Sequence, residues 1–347
     1  MLAALDVSHR LLGAEINSIA SLVKSDRIST ACRLVFLLSE TGEGNDTGTL
    51  LTHYFTYGSS PLHFAGTSCK TIAGLQDGDF KRFRNEGLKN LVREIVAIYR
   101  AHSGEKLSIN ATGGYKAQIS FAGLIGQALQ LPIYYMFEKF SEIIEMPPQP
   151  VSLDLDLWLG NYELLSLLSR TRSLGIKELE EQGFYIEKVD PRIAALLDIL
   201  DDGLVALSPV GELFYETKYL QWHENRQREA TMPPTPANRD DPRAPNSQIN
   251  RSPHIDSPMR VQLLSLLGRV FDDVDYVTGF YSYKNNEHLP GQTKFKLSSD
   301  DNKHVIDLHY GYGKGTCYLR VGTTPDATLN QLKNAVVDLN ERLLSWP

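Results

Sequence analysis

The sequence predicts a multidomain α/β protein, and three observations carry that prediction. From Leu11 to about Pro150, short apolar runs alternate with amphipathic helical stretches, the pattern of parallel strands joined by helices. The stretch 152–222 reads as helices with a short hairpin near its end. From 254 to 347, four strand-like runs lie between two helices, an α+β arrangement in which an antiparallel sheet is covered by helices on one face.

Element by element, LLGAEINSIASLVK (11–24) has helical spacing and ACRLVFLLS (31–39) is an apolar run short enough for a buried strand. GLKNLVREIVAIYRAH (87–102) places apolar residues at i, i+3, i+4 and i+7. KLSIN then reads as a strand, YKAQISFAGLIGQALQ as a helix and PIYYMF as a strand. Region 1–151 is therefore expected to be Rossmann-like. Ligands of such sheets bind beyond the carboxyl ends of the strands, at loop amides and helix N-termini. Two loops qualify: SETGEGNDTG, Ser39 to Gly48, and NATGGYKA, Asn110 to Ala117. In the second, Gly113 and Gly114 let the backbone approach an anion, Thr112 supplies a hydroxyl and Lys116 a charge in the first helical turn. Neither loop has the GxxxxGK[ST] or GxGxxG spacing of a nucleotide-triphosphate or dinucleotide site.

In 152–222, YELLSLLSR, IKELEEQG and PRIAALLDILDDG have helical periodicity, and LVALSPVGELFYE reads as strand, turn and helix, so a winged helix-turn-helix is expected. Between Ser152 and Glu216 stand thirteen acidic and five basic residues, a balance of −8. That balance repels a phosphate backbone, so DNA is disfavoured and a spacer or protein contact is the reading. Region 223–253, rich in proline, asparagine and charge around QREATMPPTPANRDDPRAPNSQINRSP, is expected to be a linker or surface loop.

In 254–347, the helix MRVQLLSLLGRVF precedes strands near Tyr276–Tyr283, Thr293–Leu297, Lys303–Tyr310 and Thr316–Thr323, and ATLNQLKNAVVDLNERLL closes the chain. Period-2 sorting sends Phe295, Leu297, Ile306, Leu308, Cys317, Leu319 and Val321 to the helix-covered face. The open face collects Lys294, Lys296, Lys303, Asp307, His309, Tyr318 and Arg320, a cationic and aromatic surface.

Whole-chain properties bound the function. The net charge is −7 and the sequence pI about 5.7, so any nucleic-acid contact must be local. Cys32, Cys69 and Cys317 lie far apart without metal or redox spacing. No apolar run approaches the ~20 residues of a membrane span and no signal sequence is evident. A cytoplasmic, non-membrane protein is expected.

INATGGYKA followed by LIGQALQLPIYYMFE and SEIIEMPPQPV, with SETGEG before them, resembles the CRISPR-associated Rossmann-fold (CARF) sensor domain over about Glu15 to Val151. The resemblance implies a homodimeric sensor for cyclic oligoadenylate, with cyclic tetra-adenylate as allosteric activator. It carries ligand contact to Ser39, Glu40, Thr41, Gly42, Asn110, Thr112, Gly113, Gly114 and Lys116. A two-fold symmetric ring matches a site built across a two-fold axis. Relatives usually begin with a strand and a T-x-G-T-S loop; no apolar run before Leu11 serves as that strand, so either the natural start lies upstream or the sheet lacks a strand.

TKFKLSS, placed before a basic position, a strand and a last helix, resembles the RelE family of toxin ribonucleases, which cut messenger RNA in the ribosomal A site. The resemblance matches Lys294 and Lys296 to the family's K-x-K pair and Lys303 or His304 to its next basic residue. Thr323 and Thr324 stand where a common pattern has arginine, with Arg320 one pleat earlier as substitute and Tyr318 in place of the family's helical tyrosine. Metal-free cleavage by a ribose 2′-hydroxyl needs one group to take a proton, cations at the phosphate and one group to protonate the leaving oxygen. Lys294, Lys296 and Arg320 suit the phosphate, and His309 or a lysine of lowered pKa the proton transfer. No magnesium or zinc spacing is present and no metal is expected. The order of parts predicts a type III CRISPR accessory effector: a cyclic oligoadenylate-activated, ribosome-dependent mRNA interferase whose partners are the messenger ring, the ribosome with its mRNA, and a second copy. The alternative is a cyclic oligoadenylate-responsive winged-helix transcription regulator.

Overall fold

A computed structural model describes residues 6–7, 9–56, 60–137, 142–147, 153–200, 202–225, 231–255, 257–288, 291–300, 303–313 and 315–346. The chain is mixed α/β with several sheets. It divides into two units: Met1–Asp154 with Leu168–Ser173 and Asp190–Lys218, and Leu155–Leu167 with Leu174–Val189 and Tyr219–Pro347. The segment 152–222 thus contributes to both.

In chain order the elements are α1 (Gly13–Lys24), β1 (Arg33–Ser39), α2 (Gly42–Thr56), β2 (Gly66–Ile72), α3 (Phe80–Arg82), a π turn (Phe83–Gly87), α4 (Leu88–Ala101), β3 (Ile109–Asn110), α5 (Lys116–Ala128), β4 (Ile133–Tyr135) and β5 (Ile144–Met146). They are followed by α6 (Leu155–Gly160), α7 (Tyr162–Thr171), β6 (Leu174–Gly175), α8 (Ile176–Glu181), α9 (Pro191–Ala194), β7 (Leu197–Ile199), β8 (Leu204–Leu207) and α10 (Pro209–Asn225). The last are α11 (Ser257–Asp273), β9 (Gly279–Asn286), β10 (Lys294–Asp300), β11 (Lys303–Tyr312), β12 (Gly315–Gly322) and α12 (Leu329–Ser345).

In the first unit, β1 pairs in parallel with β2 from Arg33↔Gly66 to Ser39↔Ile72, and β3 pairs in parallel with β4. The two pairs form separate ladders, and β5 runs antiparallel to β4, so the expected all-parallel sheet is not what the described residues form. Ile16 and Ile19 of α1 pack with Leu51, Tyr54 and Phe55 of α2. The apolar stripe of α4, Leu88, Leu91, Val92, Ile95 and Val96, is buried as its spacing required.

Three elements differ from expectation. β2, GTSCKTI, was not anticipated: its middle is exposed, so nothing forced the apolar alternation that marks a half-buried strand. The glycine-rich stretch after Ser39 is a loop only at Glu40 and Thr41. From Gly42 it is helical, because the Thr41 hydroxyl accepts the Gly44 N–H at 3.0 Å and caps α2. The helix expected over PRIAALLDILDDG is one turn, α9, followed by β7. Leu197 pairs across from Leu207 and Ile199 from Val205 in an antiparallel hairpin, closed near Gly203, whose φ of 76° favours glycine.

The acidity of 190–216 has a local explanation. Arg84 bonds Asp198 at 2.6 Å, Arg93 bonds Glu212 at 2.5 Å and Arg100 bonds Glu216 at 3.1 Å. Arg93 and Arg100 lie about two turns apart on one face of α4, and Glu212 and Glu216 are an i, i+4 pair on α10. Acid and base are complementary surfaces of one unit.

In the second unit, β9 to β12 form an antiparallel sheet in the order β10-β11-β12-β9. Leu263, Leu267 and Val270 of α11 and Leu332, Ala335, Val336 and Leu339 of α12 pack with Phe295, Ile306, Leu308, Cys317, Leu319 and Val321. The expected inner face is therefore the observed one. The edge strand β10 is pinned: the Asn340 side chain accepts the Phe295 N–H at 2.9 Å and donates to the Phe295 carbonyl at 2.8 Å. An amide that satisfies both backbone groups of an edge residue acts as one rung of a missing strand. α12 begins with a capping box of Thr328 and Gln331 and binds α7 and α10 through Glu341, which accepts from the Tyr162 and Tyr219 hydroxyls.

The expected linker 223–253 begins inside α10, which runs to Asn225; its other described residues, 231–253, form no α-helix or strand, yet they are a packed loop rather than a free tether. Ile249 is fully buried in the sheet's core. Arg239 stacks on Phe271 at 3.9 Å and donates to the carbonyls of Phe271, Val274 and Val277, capping the end of α11 with a cation where the helix dipole is negative. Arg243 adds a two-bond pair with Asp272 of α11, and composition hid this packing because so few side chains carry it.

Candidate functional site

Two residue sets were singled out by sequence, one in each unit. In the first unit the parallel pairing places the loops after β1 and β2 at one end of their ladder, and those after β3 and β4 at one end of theirs. Side chains knit these loops together. The Glu40 carboxylate accepts the Gly74 N–H at 2.9 Å and pairs with Arg82 at 2.8 Å. The Phe83 ring packs edge-on against Tyr115 at 5.8 Å, and the Tyr115 phenol is pushed up by burial and by Asp77 beside it. Asn110 accepts the Thr112 N–H and hydroxyl at 3.2 and 2.6 Å, and the Thr112 hydroxyl accepts the Met136 N–H at 3.0 Å. All four loops therefore meet.

Of the two glycines of the second loop, Gly114 is required by its backbone conformation, and Gly113 sits against the end of the Glu15 side chain. Gly114 has φ 103°, and a Cβ there would lie 2.1 Å from the Gln118 side chain; a Cβ on Gly113 would lie 2.4 Å from Glu15. Tyr115 donates its N–H to Gln118 at 2.6 Å, starting α5 directly at the exposed Lys116. Ser39 and Thr41 share a hydroxyl contact of 3.0 Å, and Gly42 opens α2 with empty space at its Cβ position. The amide ends of α2 and α5, with Lys116, are the anion-favouring features. Glu40 is different in kind: its carboxylate is already bonded within the protein, so it holds the loop's shape. Glu15, Asp77, Arg82 and Tyr115 also belong to the cluster; of these only Tyr115 lay inside a motif that spacing could reveal.

In the second unit the sheet register sets the six candidates of the open face in rows. Lys294 lies opposite His309, His309 opposite Tyr318, and Tyr318 opposite Lys284. In the next row Lys296 lies opposite Asp307, Asp307 opposite Arg320, and Arg320 opposite Tyr281. Lys303 stands at the sheet end opposite Asp300. Lys296 and Lys303 are exposed, whereas Lys294, His309, Tyr318 and Arg320 are partly buried. Asp307, only 3% exposed, accepts Arg320 Nε at 2.6 Å and the Tyr283 hydroxyl at 3.1 Å, and Asp300 holds the other side of Arg320 at 2.8 Å. These carboxylates hold Arg320 firmly protonated despite partial burial, while burial and Asp307 push the Tyr283 phenol up to about 12.

The face is aromatic as well as cationic. His309 and Tyr318 pack edge-on at 4.8 Å, Tyr283 lies 6.4 Å from Tyr318, and the Lys284 amine lies 5.6 Å from the Tyr318 ring. Period-2 reading did not find Tyr281, Tyr283 and Lys284, because a register shift between Tyr318 and Leu319 makes Tyr283 an extra residue in the pairing. Among the described residues, no three His, Cys, Asp or Glu side chains gather as a metal site.

Burial first, then Lys294 and Lys296, push His309 down to about 4, with Asp307 opposing. His309 is therefore neutral at physiological pH. A depressed base contributes stability that is present above its ordinary value near 6.5 and lost as pH falls through about 4. The expected measurement is a proton NMR titration in which the His309 Cε1 signal moves with a midpoint near 4; a midpoint near 6.5 overturns this account of its surroundings.

Residues 10–149 match the model of a family described as CRISPR-associated protein (Cas_APE2256), which supports a CRISPR-associated protein. No curated protein sequence matches the chain. Among solved structures, the crystal structure of protein VC1899 from Vibrio cholerae aligns over 91% of this chain and 76% of that one, with 12% identity and a TM-score of 0.25; at that score the likeness carries no structural argument. No helix among the described residues is long and apolar enough to cross a membrane.

Proposed function

We propose that this chain is a CRISPR accessory effector in which a cyclic oligoadenylate sensor, 1–151, governs a metal-independent, ribosome-dependent endoribonuclease, 254–347. One observation carries the reading: two adjacent cross-strand rows place Lys294, His309 and Tyr318 beside Lys296 and Arg320 on a single sheet face. Support for the sensor half comes from the knitted loops, where the amide ends of α2 and α5, the exposed Lys116 and the open space at the Gly42 Cβ position favour an anionic ring. A homodimer would supply the two-fold symmetry that a cyclic ligand asks for.

The chemistry follows from the protonation of these groups. The ribose 2′-oxygen forms a bond to the adjacent phosphorus as the bond from phosphorus to the 5′-oxygen breaks, leaving a 2′,3′-cyclic phosphate and a 5′-hydroxyl. Neutral His309 can take the 2′-hydroxyl proton and cannot donate one at pH 7. The ammonium of Lys294 or Lys296 can protonate the leaving oxygen, with the other lysine and Lys303 at the phosphate oxygens. Arg320, braced by Asp307 and Asp300, offers a fixed cation, and the Tyr318 ring a surface on which a base can stack. The tight ion pairs of Arg320 leave only a modest free cationic surface, which suits an enzyme whose RNA is presented by the ribosome.

The test is messenger-RNA cleavage on programmed ribosomes with and without cyclic tetra-adenylate, with the chemistry of the new RNA ends determined. Cleavage in the A-site codon that requires the ring and leaves a 2′,3′-cyclic phosphate and a 5′-hydroxyl is expected. Intact RNA with bound ring moves the transcription-regulator reading to the front, and a 5′-phosphate at the cut sinks the 2′-hydroxyl chemistry.

A further inference from the structure

Within the second unit the candidate ribonuclease face is not open at every position. The Lys294 amine lies 3.4 Å from the Glu163 carboxylate of α7, 3.4 Å from the Gln182 carbonyl and 5.2 Å from the centre of the Phe184 ring. Only 23% of its side chain is exposed, although Lys296, two residues on and on the same face, is exposed. The chain is shaped for this contact. α8 ends at Gln182 and turns through Gly183, whose φ of 86° is the left-handed cap conformation. That turn brings a terminal helix carbonyl, which has no helical partner, to a cation. Phe184 is held by its N–H to Leu179, and Leu179 is fully buried.

Each contact is weak by class. A partly exposed ion pair is worth about 0–1 kcal/mol and a cation–π contact about 0.5–1 kcal/mol. A permanent core contact would use apolar area; a contact assembled from an ion pair, one carbonyl and one ring face is reversible. The cover also engages the one lysine that lies directly opposite His309, so it blocks the row in which proton transfer would occur. The covering segments continue in sequence into 168–173 and 190–218, which belong to the sensor's unit.

We propose that Leu174–Val189, with Glu163, is an autoinhibitory cover of the ribonuclease face, latched on Lys294 and released when the sensor binds its ring. The inference rests on the ribonuclease reading and names the regulation of that site. Release requires the ring to bind more tightly to the uncovered state.

Two measurements test it. In the ligand-free native protein, acetylation by an amine-reactive ester followed by mass spectrometry is expected to modify Lys294 more slowly than Lys296; equal rates overturn the cover. In the ribosome assay, Glu163→Gln with Phe184→Ala is expected to raise ligand-free cleavage about tenfold, the factor two such contacts hold between them, with the ring-activated rate unchanged. If native protein cleaves on activation while the variant's ligand-free rate stays at the native level, the cover is refuted and the ribonuclease reading stands. If neither protein cleaves with the ring bound, the ribonuclease reading falls and the inference with it.

Discussion

Replacing Lys294 and Lys296 together with alanine is expected to lower ring-activated cleavage at least about a hundredfold, with the melting temperature of the chain nearly unchanged. The magnitude follows from the role: removing one preorganised donor from developing charge costs about 10²–10³ in rate, and two donors acting on one phosphate are not additive. The small structural effect follows from position. Both side chains leave the sheet on the face away from α11 and α12, and the core below is set by Phe295 and Leu297, which stay. The single variants separate two effects. Lys296→Ala removes an exposed cation and with it part of the push that holds His309 down. Lys294→Ala also removes the anchor of Glu163 and Phe184, so its residual activity should depend less on the ring. Single-turnover cleavage on programmed ribosomes, with and without cyclic tetra-adenylate, reads both. An unchanged rate in the double variant would make the row a solvated sheet surface.

The C-terminal sheet was legible because its two faces obey a period of two that the helices enforce: Phe295, Leu308 and Leu319 could not be exposed without emptying the core. The bulge at Tyr318 was illegible, since an extra residue leaves the apolar pattern of β12 intact and shifts only β9. β2 was missed for the converse reason: its exposed middle puts no apolar constraint on the sequence. In the loop after β3, Gly113 and Gly114 announced a close approach, and the Glu15 and Gln118 side chains fill that space. Glu40 was carried over as a ligand contact by the resemblance of its loop; its partners Gly74 and Arg82 lie more than thirty residues later in the chain, beyond what spacing can reveal. Asp307 was placed on the correct face without a role, because its meaning depends on Arg320 and Tyr283 from two neighbouring elements.

The largest stability effect is expected at Arg93. Glu212 is 1% exposed and its partner Arg93 is mostly buried, with Lys89 nearby and only 6% exposed. Burial pushes the Glu212 carboxyl up, opposed by Arg93, then Lys89 and the Ser169 hydroxyl; burial pushes the Lys89 amine down, opposed by Asp198 and Glu212. Arg93→Ala leaves a buried carboxylate short of its main partner, which costs about 3–5 kcal/mol. A carboxyl raised above its unfolded value contributes stability that is fully present below the ordinary carboxylate range and lost as pH rises through its folded value. Without Arg93 that folded value rises further, so the deficit should be smaller near pH 5 than near pH 8. Chemical denaturation of the full chain at both pH values, following the first unit's transition, measures it; a deficit independent of pH would mean that the loss is packing by the arginine stem rather than charge. The double replacement Arg93→Leu and Glu212→Leu should recover most of the loss, because a buried pair exchanged for apolar side chains is often neutral. Recovered stability with a lost response to the ring would then assign the pair to fixing how α4 meets α10, since α4 continues through the π turn from Arg82, which pairs with Glu40 in the loop after β1.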